Sequence, residues 1–247
     1  MGATSEERYA VVSCHVERPL DDAVWTRFAL MQAQRPGGFA IAALMRPADA
    51  AAGEDESRWF VRAREAADRA PLGHHVHWTA PNHARPTDGD TGGRVRVEGA
   101  LLRDVAPTLF CGGGWYTDPD VAEACAELGY VDCTPRASRP PYLPEGERWA
   151  SLQTAARIAL PSGRVLRAIP TTHSLGDLGR AIARRSLPYF VHVYFHDTDL
   201  LDRRRRAMIR VLLPLLAQRA RASDLDALAH DLIQDAPRVT WDDVARF

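Results

Sequence analysis

The chain has 247 residues, 46% of them hydrophobic, which suits one large α/β domain with a sizeable core. Its formal charge of -1 supplies no global field toward nucleic acid or an acidic membrane, so neither is expected as a partner. No apolar run nears the roughly 20 residues that span a bilayer, and the four cysteines show neither CxxC pairing nor the density of a disulfide scaffold.

The opening MGATSEERYAVVSC carries acids and lacks the basic and apolar segments of a secretory leader, so a reducing cytoplasm is the expected compartment. Gly2 alone makes only a weak case for acylation. YAVVSC (9–14) reads as a buried strand, followed by a helix from about Asp21 to Gln34 that PGG (36–38) breaks. FAIAALM (39–45) is the next strand. The segment 56–70 is helical, with Trp59, Val61, Ala66 and Ala70 sharing an apolar stripe.

GHHVHWT (73–79) is followed by a polar stretch, 81–93, that reads as a surface loop. TLFCGGG (108–114) leads to a helix capped by Asp118, with Pro119 at its first position and Gly129 at its end. YVDCT (130–134) resumes as a strand, and 135–147, rich in Pro and Arg, reads as an ordered loop. RVLRAI (164–169), a helix near 174–185, the strand YFVHVYF (189–195), a long helix from about Leu200 and a capped helix near Ser223 complete the pattern. The basic run Arg203–Arg206 reads as a solvated helix face. Strand–helix alternation implies a parallel sheet, and His15, His75, His77, Asp132 and His196 all fall at or just past strand ends, where such folds gather catalytic groups.

In an extended chain, His75 and His77 share one face, as do His15 and Glu17. Two imidazoles and a carboxylate converging on one rim suit a divalent ion; hydrogen-bonded strand ends account for the same spacing. In FHDTD (195–199), His196 is a candidate general acid tuned by Asp197 or Asp199, and Asp199 equally suits the cap of the following helix.

Taken together, SCHVE, GHHVHW, LFCGGGWYTDP, LGYVDCT, IPTTHSL and VYFHDTDLL resemble the polysaccharide deacetylases of the NodB-homology superfamily, from about Tyr9 to Leu216. The resemblance implies a distorted (β/α)7 TIM-like barrel as a single domain over 1–247, with its core at about 9–216 and a C-terminal helix at about 223–234. It implies metal-dependent hydrolysis of an N- or O-acetyl group on a sugar or glycan, with zinc, or cobalt or manganese, as cofactor. It makes His15 the catalytic base, Glu17 and His75 metal ligands, and His77 the stand-in for the partner position that Thr79 occupies. His196 becomes the general acid, with Asp132 or Asp197 orienting it. Trp115 and Tyr116 become substrate walls, with Gly113 and Gly114 lending backbone N–H groups to the substrate pocket and Asp197 bordering it.

Two departures stand out: the base is usually Asp, and Cys111 stands where an arginine is usual. The changes agree physically, because a cation that keeps a carboxylate ionised would only depress the proton affinity of an imidazole. A silent binder of a glycan or nucleotide-sugar, and a metal-independent hydrolase of cyclic amides or ureides, remain the alternatives.

Overall fold

The computed structural model describes residues 8–87 and 89–246. The leader and acylation readings, and the outermost ends of the expected domain, lie outside the described residues. In chain order come β1 (Tyr9–Val16), α1 (Asp22–Gln34), β2 (Ile41–Met45), α2 (Glu56–Ala67), β3 (Leu72–Val76) and α3 (Thr91–Leu101). Next are β4 (Leu109–Gly112), α4 (Pro119–Leu128), β5 (Val131–Asp132), β6 (Trp149–Ala150), β7 (Ala156–Ala159) and β8 (Val165–Ala168). The remainder is β9 (His173–Ser174), α5 (Leu175–Arg184), β10 (Phe190–His196), α6 (Arg203–Ala217), β11 (Arg221–Ala222), α7 (Leu225–Gln234), β12 (Arg238–Thr240), α8 (Trp241–Val244) and β13 (Ala245–Arg246).

Caps set several helix starts as expected: Asp21 accepts from Ala23 and Val24 at α1, and Asp118 from Val121 at α4, which Gly129 ends in the left-handed region. Other expectations need correction. Asp202, not Asp199, caps α6, while the capped helix expected near Ser223 is α7, with Asp224 as its cap. On α2, Trp59 and Ala66 are buried, but Val61 is exposed and Ala70 lies beyond the helix end. Helix α3 begins inside the stretch read as a loop: the Asp90 carboxylate accepts from Gly93 N, an N-cap hidden within DGDTGG. The short strands β6, β7, β12 and β13 carried too few residues for periodicity to reveal.

The architecture is an α/β fold, a mixed 11-stranded sheet flanked by helices. Its path runs β12-β7-β8-β5-β4-β3-β2-β1-β10-β9, parallel throughout except for β7–β8, with β11 beside β1. The ladder as paired is an open path, not the closed seven-stranded barrel expected. The gap falls at Pro170, which has no N–H to give a ladder. Ile169 N before it and Thr171 N after it donate to Asp132 O and Pro135 O, and the next residue, Thr172, donates its N–H to His192 O, so residues 165–174 touch the β5 side first and then β10.

Strand alternation divides the sheet into two faces. Ala10, Val12, Cys14 and Val16 of β1, with Ile41, Ala43 and Met45 of β2, pack against Trp25, Phe28 and Met31 of α1. Val11, Ala42, Leu44, Leu109, Cys111, Val131, Cys133 and Ile169 form the opposite, inner face. Ser13 and His15 continue the Val11 column toward the strand end, His75 follows Gly73, and Tyr194 and His196 follow His192. His74 falls on the other parity and faces α3, where its Nε2 lies 2.7 Å from the Glu98 carboxylate. All four cysteines are buried and unpaired. Among the described residues no helix is long and apolar enough to cross a membrane. Arg203, Arg204 and Arg205 are exposed, as a solvated face requires.

Candidate metal centre

At the C-terminal ends of β1, β3 and β10, one carboxylate oxygen, Glu17 Oε1, faces three imidazoles. It lies 3.9 Å from His75 Nε2, 3.7 Å from His77 Nε2 and 3.7 Å from His196 Nε2. The period of two brings these side chains to one opening, and parallel pairing sets the strand ends level. Glu17 is held from behind: Arg46 Nε donates to its carbonyl oxygen at 2.9 Å, and the same guanidinium is fixed by both oxygens of Glu54.

The tautomers follow from the carbonyls beneath. His75 Nδ1 lies 2.9 Å from Cys111 O, and His77 Nδ1 lies 2.8 Å from Pro81 O. A carbonyl only accepts, so each Nδ1 carries the proton. Burial above all lowers the His75 proton affinity and keeps its ring neutral, leaving Nε2 as a lone pair. Both Nε2 atoms are buried without a hydrogen-bond partner.

An anion and two anchored nitrogens thus converge at distances too long for hydrogen bonds, an arrangement that a cation resolves. Donors on a tetrahedral zinc lie about 3.4 Å apart, within a few tenths of the spacings here, so this donor set fits a divalent ion. The donor atoms of Glu17, His75 and His77 lie within 4.8 Å of one another. Those of His15, His75 and Cys111 do so too, and the latter group shares His75 with the first.

His15 forms the floor. Its ring centroid lies 4.7 Å from His75, 5.1 Å from Trp115, 5.4 Å from Tyr194 and 5.1 Å from His196. Burial first, then His75 and His196, keep it neutral well below the ordinary histidine pKa. Cys111 Sγ is 3.8 Å from its Nε2, so the two replaced positions adjoin.

Other expected site residues lie elsewhere. Asp132 is level with Phe110 and Ala168, which pack on the helix side with Cys125 of α4. There its carboxylate accepts from Thr134 N at 2.8 Å, and burial pushes its pKa up to about 6. Tyr116 packs against Trp78 and donates to Asp118 at 2.7 Å, away from the His15 cluster that Trp115 touches. Asp197 is fully buried, accepting from Arg18 N at 2.8 Å and Thr198 N at 2.7 Å; it ties the loop after Glu17 to the end of β10 rather than bordering a substrate. The N–H of Gly112 is taken by Thr134 Oγ1. A Cβ at Gly113 would meet Val76 O at 2.4 Å and Ala84 O at 2.7 Å, so this glycine answers to chain crossing. Thr79 is exposed and bonded to Arg85 O, leaving the ligand position to His77. His83 is exposed, and His173 Nδ1 is engaged with Thr172 Oγ1 at 2.7 Å.

Sequence reasoning missed Arg136, His192, Tyr194 and Arg46. Tyr194 and His192 were legible, since both share the inner parity of β10 with His196; His192 lies 2.8 Å from Ser13 Oγ beneath the site. Arg136 had no such signal. It follows Pro135 in a segment without repeating structure, yet its guanidinium lies over Trp115 at 4.3 Å and Tyr194 at 4.7 Å.

No family model matches the chain, and no curated protein is significantly similar to it. Solved structures do resemble it in fold. A Mycobacterium smegmatis protein described as a polysaccharide deacetylase superposes with a TM-score of 0.60 at 13% identity, covering 94% of this chain and 92% of its own. A 4-alpha-glucanotransferase from Thermococcus litoralis gives a TM-score of 0.55 at 11% identity, covering 94% of this chain and 40% of its own. At these identities the likeness is one of fold, and it extends over nearly the whole chain.

Proposed function

We propose that the protein is a metal-dependent hydrolase that removes an acetyl group from an N- or O-acetylated sugar. One observation carries the reading: Glu17, His75 and His77 bring a carboxylate oxygen and two imidazole Nε2 atoms together, with both rings fixed through Nδ1 on backbone carbonyls. The fold likeness to a protein described as a polysaccharide deacetylase supports it. On this reading residues 165–174 act as one seventh stave, interrupted at Pro170, that closes a distorted barrel between β5 and β10.

Glu17, His75 and His77 would hold the ion, zinc by the mixed nitrogen and oxygen donors. When bound, it supplies positive charge that polarises an acyl carbonyl and makes water more acidic. His15, neutral at its buried position, takes the proton from the attacking water. His196, with a side chain 36% exposed, returns a proton to the departing amine or alcohol. Trp115 and Tyr194 both pack against the His15 ring and exclude bulk water from it. Arg46 and Asp197 keep the Glu17 loop in place.

The test measures metal content and acetate release from a panel of N- and O-acetylated sugars, with and without chelator. Expected are one firmly held divalent ion per chain and acetate release that chelator abolishes and zinc restores. Full activity without metal would sink the proposal.

A further inference from the structure

Arg136 is only 4% exposed, and its Nε and Nη1 are buried with no hydrogen-bond partner. A guanidinium does not shed its proton to escape such a place. No carboxylate among the described residues pairs with it at 4.0 Å or less, whereas the other deeply buried arginines, Arg46 and Arg62, pair with Glu54 and Asp22. Its guanidinium lies over the rings of Trp115 and Tyr194, and the Tyr194 side chain also hydrogen-bonds to it, but these contacts leave Nε and Nη1 unanswered.

The residue is fixed where it stands. Arg136 N donates to Ala150 O at 2.9 Å, its own carbonyl accepts from Leu152 N at 3.0 Å, and Thr171 bridges its other side. Trp115 sits at φ 60, a left-handed conformation that a bulky side chain adopts only under constraint. That conformation places the indole between Arg136 and His15. Tyr194 does the same from β10, and the two rings meet at 4.9 Å. Arg136 and His15 thus contact the same two rings, and the aromatic walls that would flank a sugar also clamp the cation.

We infer that Arg136 is a specificity residue that recognises an oxyanion, a carboxylate or a phosphate, on the molecule bound at this site. The substrate class is therefore an acidic acetylated sugar. This rests on the deacetylase reading for the word "acetylated" alone; recognition of the anion does not need the metal.

The experiment compares binding of N-acetylglucosamine, N-acetylmuramate and N-acetylglucosamine 6-phosphate to metal-free and zinc-loaded protein by calorimetry. The expected result is that an acidic probe binds at least roughly tenfold more tightly than the neutral one, in both forms of the protein, as a charge-assisted hydrogen bond implies. Preference for the muramate assigns a carboxylate, preference for the phosphate ester a phosphate. Arg136→Met abolishes the preference, and Arg136→Lys keeps part of it. In the wild-type protein the Arg136 Nε–H resonance shifts with the acidic probe and not with the neutral one, a readout that stands even if Arg136→Met fails to fold. Equal affinity for all three probes, an unmoved resonance, or a folded Arg136→Met variant that retains the preference would overturn the inference. Acidic preference without acetate release would leave it standing and remove the deacetylase reading.

Discussion

The two walls of the site were built by different rules. On one side the ends of β1, β3 and β10 and the residues just past them present His15 with Glu17, His75 with His77, and His196, each pair two residues apart. On the other side β4 and β5 end early, and what reaches the site is Cys111, Trp115 at a positive φ, and Arg136 from beyond Pro135. Regular strands carry chemistry in a form that spacing reveals. Where prolines and tight turns take over, proximity depends on how distant segments cross.

The largest effect is expected from removing a ligand on the regular wall. His77→Ala leaves two of three donors, and we expect metal affinity and acetate release to fall by about 100-fold or more, since even changes to groups behind a ligand cost 10- to 100-fold. Equilibrium dialysis against zinc reads the first, and retention of a full equivalent of metal would take His77 out of the centre. His15→Ala is next, with turnover down by about 100- to 10,000-fold and metal content unchanged. If the variant turns over at near the wild-type rate, His15 is not the base.

The smallest effect on chemistry is expected at Asp132, on the far face of the irregular wall. Its pKa rises from 3.8 unfolded to about 6 folded, so the native state binds the proton more tightly. Its contribution is therefore greatest below about pH 4 and is lost as pH rises through 6, a decline of at most about 3 kcal/mol. Asp132→Asn should flatten that decline in denaturant unfolding followed across pH, with acetate release within about twofold of wild type. A loss of activity comparable to that of His15→Ala would return Asp132 to the catalytic group.

Much of the fold was legible because local signals agreed with one another. Asp118, Pro119 and Gly129 bracket α4 as capping chemistry requires, and the apolar runs at 9–14, 39–45 and 189–195 became β1, β2 and β10. Helix α3 was obscured because TGG is poor helix-forming sequence, and it is held by the Asp90 cap, the burial of Val95 and Gly99, and the pairing of Glu98 with His74 and Arg94. Asp132 was misplaced because it adjoins Cys133, which does face the site side, and a one-residue step along an extended chain reverses the face; Tyr116 follows a tight turn in which Trp115 takes a positive φ, so spacing did not reveal where it points.

The sequence alone determined the alternation of strands and helices and the pairing of His15 with Glu17 and of His75 with His77 on shared faces. Periodicity and capping are local, so these needed nothing beyond neighbouring residues. Only tertiary structure decided that the Glu17 carboxylate meets both imidazoles, that Cys111 adjoins His15, and that Arg136 is caught between Trp115 and Tyr194. Those contacts join segments many residues apart, and their geometry is fixed by sheet order and loop crossing, which no spacing along the chain encodes.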